Sequence, residues 1–424
     1  MREWKRRIAG IMAVVMMLAA LGGCDKEPLE DGGDSALMLP DQMVSLVERP
    51  ELVGSPVALA QRDSAPLVTF SVDLIRASWK SARERGAENP VLSPVSVYLA
   101  MMVTACSSAQ TDAEQLAEWE ALFGVPEKEW DTWGTKLMRH LNWSKEDSCV
   151  TATNSLWLDE GMSLAEEVLQ RISQHLYTDV YQGDLQSEKI MQAINEWVDH
   201  KTQGMIPQFL QAPYDEMTFL SILNAVYLEA KWQEAFLPPR IQEKIFYTAQ
   251  EEEILAEYLT DSLCHRAYLQ TENWDGVLLP YRDGNLAFAA LRPMAGQSAD
   301  DLLMTLEGKD WSACCENAVE TLMNFSMPKF TVEYRQMLTD SLAQMGLEDV
   351  LADGGIGIGQ TVKIQVDEDG TKAAAVTAVT AAGMIELPEE TPLEIHFDRP
   401  FVYAVIDTVS GIPLFVGVLD CPVQ

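Results

Sequence analysis

A run of small side chains near the carboxyl end constrains this chain more than any other feature. Residues 371–386 are sixteen consecutive positions without an aromatic side chain, and Lys372 is the single charge before the last of them. Alanine, which is common here, favours helix, but Thr377, Val379 and Thr380 are β-branched and lose rotamer freedom in a helix. The run also lacks a stripe of large side chains to bury. We therefore predict an exposed loop instead of a packed helix.

Alternate positions of this run share a second property. If the run entered a β-sheet as a new strand, every other side chain would face one side, and a packed layer there would admit only small, uncharged groups. The six residues at these positions all qualify: Thr371, Ala373, Ala375, Thr377, Val379 and Ala381. Lys372 falls on the opposite face, where it can stay in water. The run is therefore suited to becoming an added strand.

Length and composition limit the class of protein. The chain has 424 residues, of which 47% are hydrophobic, and a formal net charge of −35. That is ample material for a core. The negative field disfavours nucleic acid and anionic membrane surfaces as partners. Helical patterns prevail in the first half and strand patterns in the second, without regular βαβ alternation, so an α+β fold is expected.

The amino-terminal residues have the pattern of an export signal. A basic segment precedes sixteen apolar or small residues, 8–23, which end at Cys24. The run is shorter than the roughly 20 residues that span a membrane. Residues 21–24, Leu-Gly-Gly-Cys, resemble a bacterial lipobox. We expect cleavage before Cys24 and lipid attachment to its sulfur.

The signal divides the chain into three expected parts. Residues 1–23 form the signal peptide, 24–63 an acidic, proline-containing flexible tether, and 64–424 the folded domain. A short helix at 43–47 would not change this division. The expected location is the cell surface, as a lipoprotein, or the extracellular space, and the lipid is the only membrane contact expected.

Catalytic and metal-binding motifs are not recognisable. A hydrolase needs a nucleophile, a base and an orienting acid, and neither GxSxG nor HExxH occurs. Five histidines stand in no recognisable catalytic context: His140, His175, His200, His265 and His396. The glycine-rich residues 353–360 precede a strand pattern, so we interpret them as a loop and not as a dinucleotide site. We expect no enzyme activity, no metal and no cofactor.

The cysteines do not define a scaffold. Six follow Cys24: Cys106, Cys149, Cys264, Cys314, Cys315 and Cys421. Export would permit disulfides, but six in a chain of this length are sparse, and the sequence leaves their pairing open. No CxxC or CxxH spacing occurs, so a zinc site has no support.

Eight segments, in order along the chain, resemble the serpin family of serine protease inhibitors. They are NPVLSPVSVYLAM (89–101), NSLWL (154–158), INEWVDHKTQGMI (194–206), LNAVYLEAKWQEAF (223–236), LLPY (278–281), MPKF (327–330), VDEDGTKAAAVTA (366–378) and DRPFVYAVIDTVSGIPLFVGVLDCP (398–422). Each piece alone could be ordinary core or turn, but their joint order favours the family. The resemblance implies a fold of about nine helices around three β-sheets, with an exposed reactive-centre loop at about 369–392.

The resemblance also implies a mechanism and its residues. A serine protease attacks the loop, forms an acyl ester, and is trapped when the loop enters the central sheet. The implied reactive bond joins Met384 and Ile385. The implied hinge is Glu368, Gly370, Thr371, Ala373, Ala374, Ala375 and Thr377. The implied sheet-opening residues are Ser93, Ser96, Asn224, Trp232 and Gln360. Gln360 replaces the usual histidine, so opening is expected to depend less on pH near 6.

The residues of the loop and the charge of one helix indicate which partners this chain would bind. Residues 373–396 contain no lysine or arginine, which disfavours trypsin-like proteases and favours chymotrypsin-like, elastase-like or subtilisin-like targets of Met384. Residues 111–124 lack the basic helix that binds heparin in some members. We expect a monomer that forms covalent complexes with serine proteases. The alternative is a non-inhibitory serpin that serves as a binding or carrier protein.

Overall fold

The computed structural model describes residues 12–21, 43–47, 50, 57–108, 113–145, 148–236, 240–351, 356–371 and 391–422. Within these ranges there are ten α-helices and one 3-10 turn (Glu127–Glu129). The helices are α1 (Gln61–Glu84), α2 (Pro94–Ser107), α3 (Ala113–Phe123), α4 (Trp130–His140), α5 (Glu166–Leu176), α6 (Glu188–Lys201), α7 (Ala299–Thr305), α8 (Gly308–Glu316), α9 (Thr339–Gln344) and α10 (Glu348–Leu351).

One β-sheet forms the face that carries the candidate site. In order across the sheet its strands are β13 (Phe330–Met337), β14 (Ile356–Val366), β1 (Met12–Leu21), β7 (Thr218–Lys231), β5 (Ser148–Leu158), β6 (Thr178–Gln182) and β2 (Val44–Ser45). Two short strands complete it: β15 (Gly370–Thr371) pairs with β7, and β4 (Trp143–Lys145) pairs with β5. Strand β7 is mostly buried and contains several β-branched and aromatic residues, which suits a covered sheet.

The second sheet joins two layers through one long strand. Its order is β16 (Leu393–His396), β12 (Val319–Pro328), β9 (Glu253–Gln270), β10 (Trp274–Pro280), β11 (Leu286–Pro293), β17 (Phe401–Asp407), β18 (Pro413–Leu419) and β3 (Val91–Leu92), with β8 (Ile241–Tyr247) on β9. Strand β9 pairs with β8 over residues 253–259, with β12 over 258–268 and with β10 over 267–270. Two of the three expected sheets are therefore joined through β9 in the described residues.

Strand β1 lies in the middle of the first sheet, between β7 and β14. It runs parallel to both, over the registers Met12–Leu21 against β7 and Ala13–Leu21 against β14. We refer to the place between β7 and β14 as the slot. The slot is therefore filled by residues from the predicted export signal, and the sheet is continuous from β13 to β6.

Helix α2 lies behind the slot and connects the two sheets. Pro94 occupies its first turn, where the missing N–H costs nothing, and residues 94–106 are all buried. The helix packs against β1, β7 and β18. Ser93 is the residue before the helix, as its position predicts, but its side chain makes no capping hydrogen bond.

Some residues near the predicted start of the folded domain, and some within the predicted tether, are ordered in the structure. Helix α1 begins at Gln61, and Leu59, two residues earlier, is fully buried. Within the predicted tether, Val44–Ser45 is a strand on the edge of β6 instead of a short helix, and Met43 is 7% exposed against the core beneath α6. An edge strand offers unpaired backbone groups, which explains the pairing.

Two further findings concern the described residues as a whole. No helix among them is long and apolar enough to cross a membrane. The six described cysteines all carry free thiols. Burial raises the pKa of four of these thiols to about 11 or 12: Cys106, Cys264, Cys314 and Cys315. These four thiols are therefore protonated and poorly reactive near neutral pH.

Candidate functional site

A chain of buried hydrogen bonds joins α2, β7 and β5 at the centre of the first sheet. Ser96 Oγ donates to Asn224 Oδ1 at 2.6 Å, and Asn224 Nδ2 donates to Asn154 Oδ1 at 2.8 Å. Asn154 then donates to the carbonyl oxygen of Leu176, the last residue of α5, at 2.7 Å. The three polar side chains are fully buried. Because an unpaired buried polar group costs about 1–3 kcal/mol, this chain of bonds holds both helices to the sheet.

A second polar pair lies on the β14 side of the slot. Gln360 on β14 is 2% exposed, and its amide makes two bonds with the backbone of Ser93. Ser93 N donates to Gln360 Oε1 at 3.2 Å, and Gln360 Nε2 donates to Ser93 O at 2.9 Å. Four of the five predicted sheet-opening residues therefore lie near the amino end of α2 in two separate pairs, Ser96 with Asn224 and Ser93 with Gln360.

Strand β1 separates the two polar groups. Met17 is the register partner of Asn224 on one side and of Gln360 on the other. The Ser96–Asn224 group and the Ser93–Gln360 pair are thus one strand apart, although the two serines are only three residues apart at the start of α2.

Trp232 belongs to a different part of the sheet. It follows β7 and lies eight residues beyond Asn224, about 26 Å along the strand. Its indole Nε1 donates to the carbonyl oxygen of Asp367 at 2.8 Å, and its backbone N–H donates to that of Asp369 at 3.1 Å. The ring is 1% exposed and stacks on Tyr281 with centroids 4.8 Å apart. Trp232 is therefore an anchor for the segment that leads into the loop.

Gly370 begins β15, which pairs antiparallel with β7. Its partner is Lys231, and Thr371 pairs with Ala230. Gly370 has φ +132°, and a Cβ there would lie 2.5 Å from the carbonyl oxygen of Ala230 and 2.6 Å from Trp232 N. No side chain fits at this position, so glycine is what allows the backbone to turn onto β7.

An ion-pair network holds the carboxylate before Gly370. Lys329 Nζ lies 2.7 Å from Glu368 Oε2 and 3.0 Å from Glu257 Oε2, and its side chain is 21% exposed. Although burial opposes the charged forms, these contacts lower the pKa of Glu368 and raise that of Lys329. Phe236 N also donates to the carbonyl oxygen of Glu368 at 2.9 Å. The network ties β9 and the residue after β12 to the hinge.

Asp367 carries the other marked electrostatic feature of this region. Its burial, together with the neighbouring charges of Glu368 and Asp369, raises the pKa of the carboxyl from 3.8 to about 6. The Asp369 N–H at 3.0 Å from Oδ1 and the Lys329 ammonium oppose that rise. Asp367 thus changes charge close to neutral pH. We refer to Asp367–Thr371 as the hinge segment.

The remaining predicted site residues lie outside the described residues. These are the hinge positions Ala373, Ala374, Ala375 and Thr377, the reactive-bond residues Met384 and Ile385, and the lipidation site Cys24. At the sheet centre the structure pairs Ser96 with Asn224 and Ser93 with Gln360, on opposite sides of β1. It brings Trp232, Glu368, Gly370 and the backbone of Thr371 together at the hinge segment.

One serine–histidine–carboxylate arrangement occurs in the described residues. Ser326 Oγ is 2.9 Å from His396 Nδ1, and His396 Nε2 is 2.9 Å from Glu394 Oε2. Ser326 is 1% exposed, so no substrate carbonyl can approach its hydroxyl. The set is a structural contact between β12 and β16 and does not form a hydrolase site. No described group of three or more His, Cys, Asp or Glu could hold a metal ion.

Sequence reasoning missed three residues of these clusters as site residues. Asn154, Lys329 and Tyr281 stand in the quoted segments NSLWL, MPKF and LLPY, but their partners are 70, 39 and 49 residues away in the chain. Their presence in those segments was the available signal. Pairing over such separations cannot be read from periodicity.

Comparison with known proteins decides the family. A model of the serpin (serine protease inhibitor) family matches residues 66–422. This chain belongs to the serpin family. The predicted serpin fold is confirmed, with ten α-helices in the described residues where about nine were expected. Members of this family are generally inhibitors and not catalysts, although some are non-inhibitory.

Two relatives and one solved structure show the extent of the similarity. Iripin-3 of Ixodes ricinus is 24% identical over 384 residues, which cover 85% of this chain and 96% of that protein. Leukocyte elastase inhibitor of Equus caballus is 25% identical over 389 residues, covering 83% and 97%. The native state of the thermophilic serpin tengpin aligns with a TM-score of 0.78 at 26% identity, covering 90% of this chain and 100% of tengpin. The similarity is therefore spread over the whole domain.

Proposed function

We propose that this serpin inhibits serine proteases by trapping them as acyl-enzymes while its loop enters the slot. The observation that carries the proposal is β15. Its two residues already pair antiparallel with Lys231 and Ala230, in line with the slot. Continuing that strand would bring the run after Thr371 alongside β7, with small, uncharged side chains at every second position.

The chemical step belongs to the protease. Its serine hydroxyl attacks the carbonyl carbon of Met384, an ester bond forms, and the bond to the nitrogen of Ile385 breaks. The protease histidine passes the serine proton to the leaving amine. The serpin contributes no catalytic group. Its part is to remove the ester-linked protease from the geometry that water needs for deacylation.

Strand insertion supplies the driving force. About ten new backbone hydrogen bonds, each worth roughly 1 kcal/mol net, would contribute about 10 kcal/mol. That equals the whole stability of an ordinary domain, about 5–15 kcal/mol. A fold with an empty slot and an uncut loop would therefore be metastable, and cutting the loop would release it.

The target class follows from the residue at the reactive bond. Methionine, preceded by Ala381, Ala382 and Gly383, suits a hydrophobic or small specificity pocket. A pocket that selects a cation has no ligand in this loop. We infer chymotrypsin-like, elastase-like or subtilisin-like targets. One relative is named leukocyte elastase inhibitor, which supports the inference of elastase-like targets.

A mixing experiment tests the proposal. The chain from Cys24 to Gln424, incubated with chymotrypsin or pancreatic elastase, is expected to give an SDS-stable complex. Thr371→Arg places a charge on the inward face and should reduce complex formation at least 100-fold. Lys372→Arg, one residue along and on the other face, is the matched control and should form complex normally. Simple cleavage without complex and without a gain in thermal stability would favour the non-inhibitory alternative.

We also propose that the protein is exported and anchored by lipid at Cys24. The pattern of residues 21–24 supports this. Expression in a bacterial host with labelled fatty acid should label the wild-type chain, and Cys24→Ser should abolish the label.

A further inference from the structure

The slot is already occupied by a full-length strand. Nine consecutive residues of β1, Ala13–Leu21, pair with β14, and ten, Met12–Leu21, pair with β7. Both ladders run parallel, and the only irregularity lies between Met12 and Ala13. A strand that is hydrogen-bonded on both edges is part of the sheet and not a segment lying on its surface.

This occupant competes for the same backbone groups as the loop. Thr371 pairs with Ala230 and Leu21 pairs with Leu228, so only Glu229 separates the end of β15 from the end of β1. In the antiparallel register of β15, Ala373 would next oppose Leu228, and Gly383 would oppose Thr218. That stretch of β7, Thr218–Leu228, is the one already paired with β1.

The directions of the two strands show that β1 is a separate occupant. It runs parallel to β7, whereas β15 and any continuation of it run antiparallel. A strand edge presents alternating N–H and C=O groups and can pair in either direction. The slot therefore accepts either strand but cannot hold both.

We propose that Met12–Leu21 acts as an intramolecular blocker that keeps the reactive loop out of the slot for as long as it remains in the chain. Removal of the predicted signal after Gly23 then frees the slot and makes the serpin competent. The occupancy stands on the strand pairing alone, and only its consequence for inhibition rests on the proposed function.

Hydrogen exchange on the unmodified full-length chain tests the occupancy directly. Amides of residues 13–20 should exchange at least 100-fold more slowly than an unstructured peptide, because they lie inside two ladders. Exchange of these amides at the unstructured rate would overturn the proposal. This measurement does not depend on the folding of any variant.

A proline scan tests the mechanism in the same full-length chain. Val15→Pro removes an N–H from the middle of β1, whereas Ala9→Pro lies before the strand and is the matched control. Val15→Pro should speed exchange in β7 residues 222–228 at least tenfold, with no change in β10 and β11 of the second sheet. Ala9→Pro should leave all of these rates as in the wild type. Equal exchange in the two variants would overturn the proposal.

Inhibition gives the second readout and separates the two proposals. Full-length wild type and Ala9→Pro should form at least tenfold less SDS-stable complex with chymotrypsin than Val15→Pro does. If exchange shows a filled slot but the chain from Cys24 also fails to trap chymotrypsin and elastase, the blocker stands and the inhibitory function fails. If wild type and Val15→Pro trap protease equally well, the blocker is refuted and the function stands.

Discussion

At the residue scale, Asp367 is the group through which pH acts on the hinge segment. Gln360 was expected to make opening less sensitive to pH near 6 than the usual histidine would, because an amide cannot titrate. Asp367 introduces a titration that this expectation did not include, because its pKa is raised to about 6 by burial and by Glu368 and Asp369. The positive group facing it is Lys329.

The raised pKa gives a definite sign to the pH dependence. An acid whose pKa is higher in the folded state favours folding while it is protonated. That contribution is complete below about pH 4 and is lost as pH rises through about 6. Asp367→Asn mimics the protonated form, so the variant and the wild type should unfold alike only near or below about pH 3.5, and the difference should grow as pH rises. At pH 7.5 the variant should be more stable by about 2 kcal/mol.

Urea unfolding at the two pH values measures this difference. The same titration should loosen the hinge segment as pH rises, which would make the rate of complex formation increase between pH 5 and 7.5 in the wild type only. A stability difference that is constant over this range would contradict the assignment to Asp367.

At the scale of elements, β15 depends on the absence of a side chain at Gly370. Gly370→Ala would place a methyl group 2.5 Å from the carbonyl oxygen of Ala230, so the pairing with β7 must break. Gly284 also has a positive φ, +79°, but nothing lies within 4 Å of a Cβ there. Gly284→Ala therefore reports backbone strain alone, about 1 kcal/mol.

We expect Gly370→Ala to cost about 2–3 kcal/mol more than Gly284→Ala. Urea unfolding gives the two free energies, and exchange of the β15 amides shows whether the pairing is lost. Equal costs for the two variants would mean that the close approach to Ala230 does not constrain this segment.

The sequence predicts an element well when neighbouring residues determine it, and poorly when contacts with distant parts of the chain determine it. The apolar runs LAFAALRP, FVYAVID and PLFVGVL are bounded by turn residues, which predicts strands, and they form Leu286–Pro293, Phe401–Asp407 and Pro413–Leu419. Helix Trp130–His140 was missed, since Gly134 weakens its propensity and its burial comes from packing against α5. Strand β1 was interpreted only as an export signal, since an apolar run does not reveal which strands it will pair with.

The candidate site likewise contains features that the local sequence predicts and features that only long-range contacts create. The small side chains at alternate positions and the run around Gly370 could be recognised from residue types alone. The bond from Asn224 to Asn154, the Lys329 network and the rise in the pKa of Asp367 depend on groups brought together by the fold. Long-range contacts of this kind have no signature in spacing.

At the scale of the whole molecule, stability should depend on what fills the slot. Cutting the loop between residues 372 and 390 in the Val15→Pro chain should raise the midpoint of thermal unfolding by about 10 °C or more, because the freed loop gains a ladder. The same cut in Ala9→Pro should leave the midpoint unchanged, since β1 still fills the slot. A scanning calorimeter measures both, and a rise of the same size in both chains would contradict this account.

Because β1 lies in the middle of the first sheet, the width of that sheet indicates whether the slot is filled or vacant. Neighbouring strands lie about 4.8 Å apart, so a chain whose central strand has left and whose flanking strands have closed would be narrower by that amount. A chain in which the cut loop has replaced the strand would recover the original breadth. Spin labels on β5 and β13, on opposite sides of the centre, would therefore distinguish a vacant molecule from a filled one in solution, whichever segment does the filling.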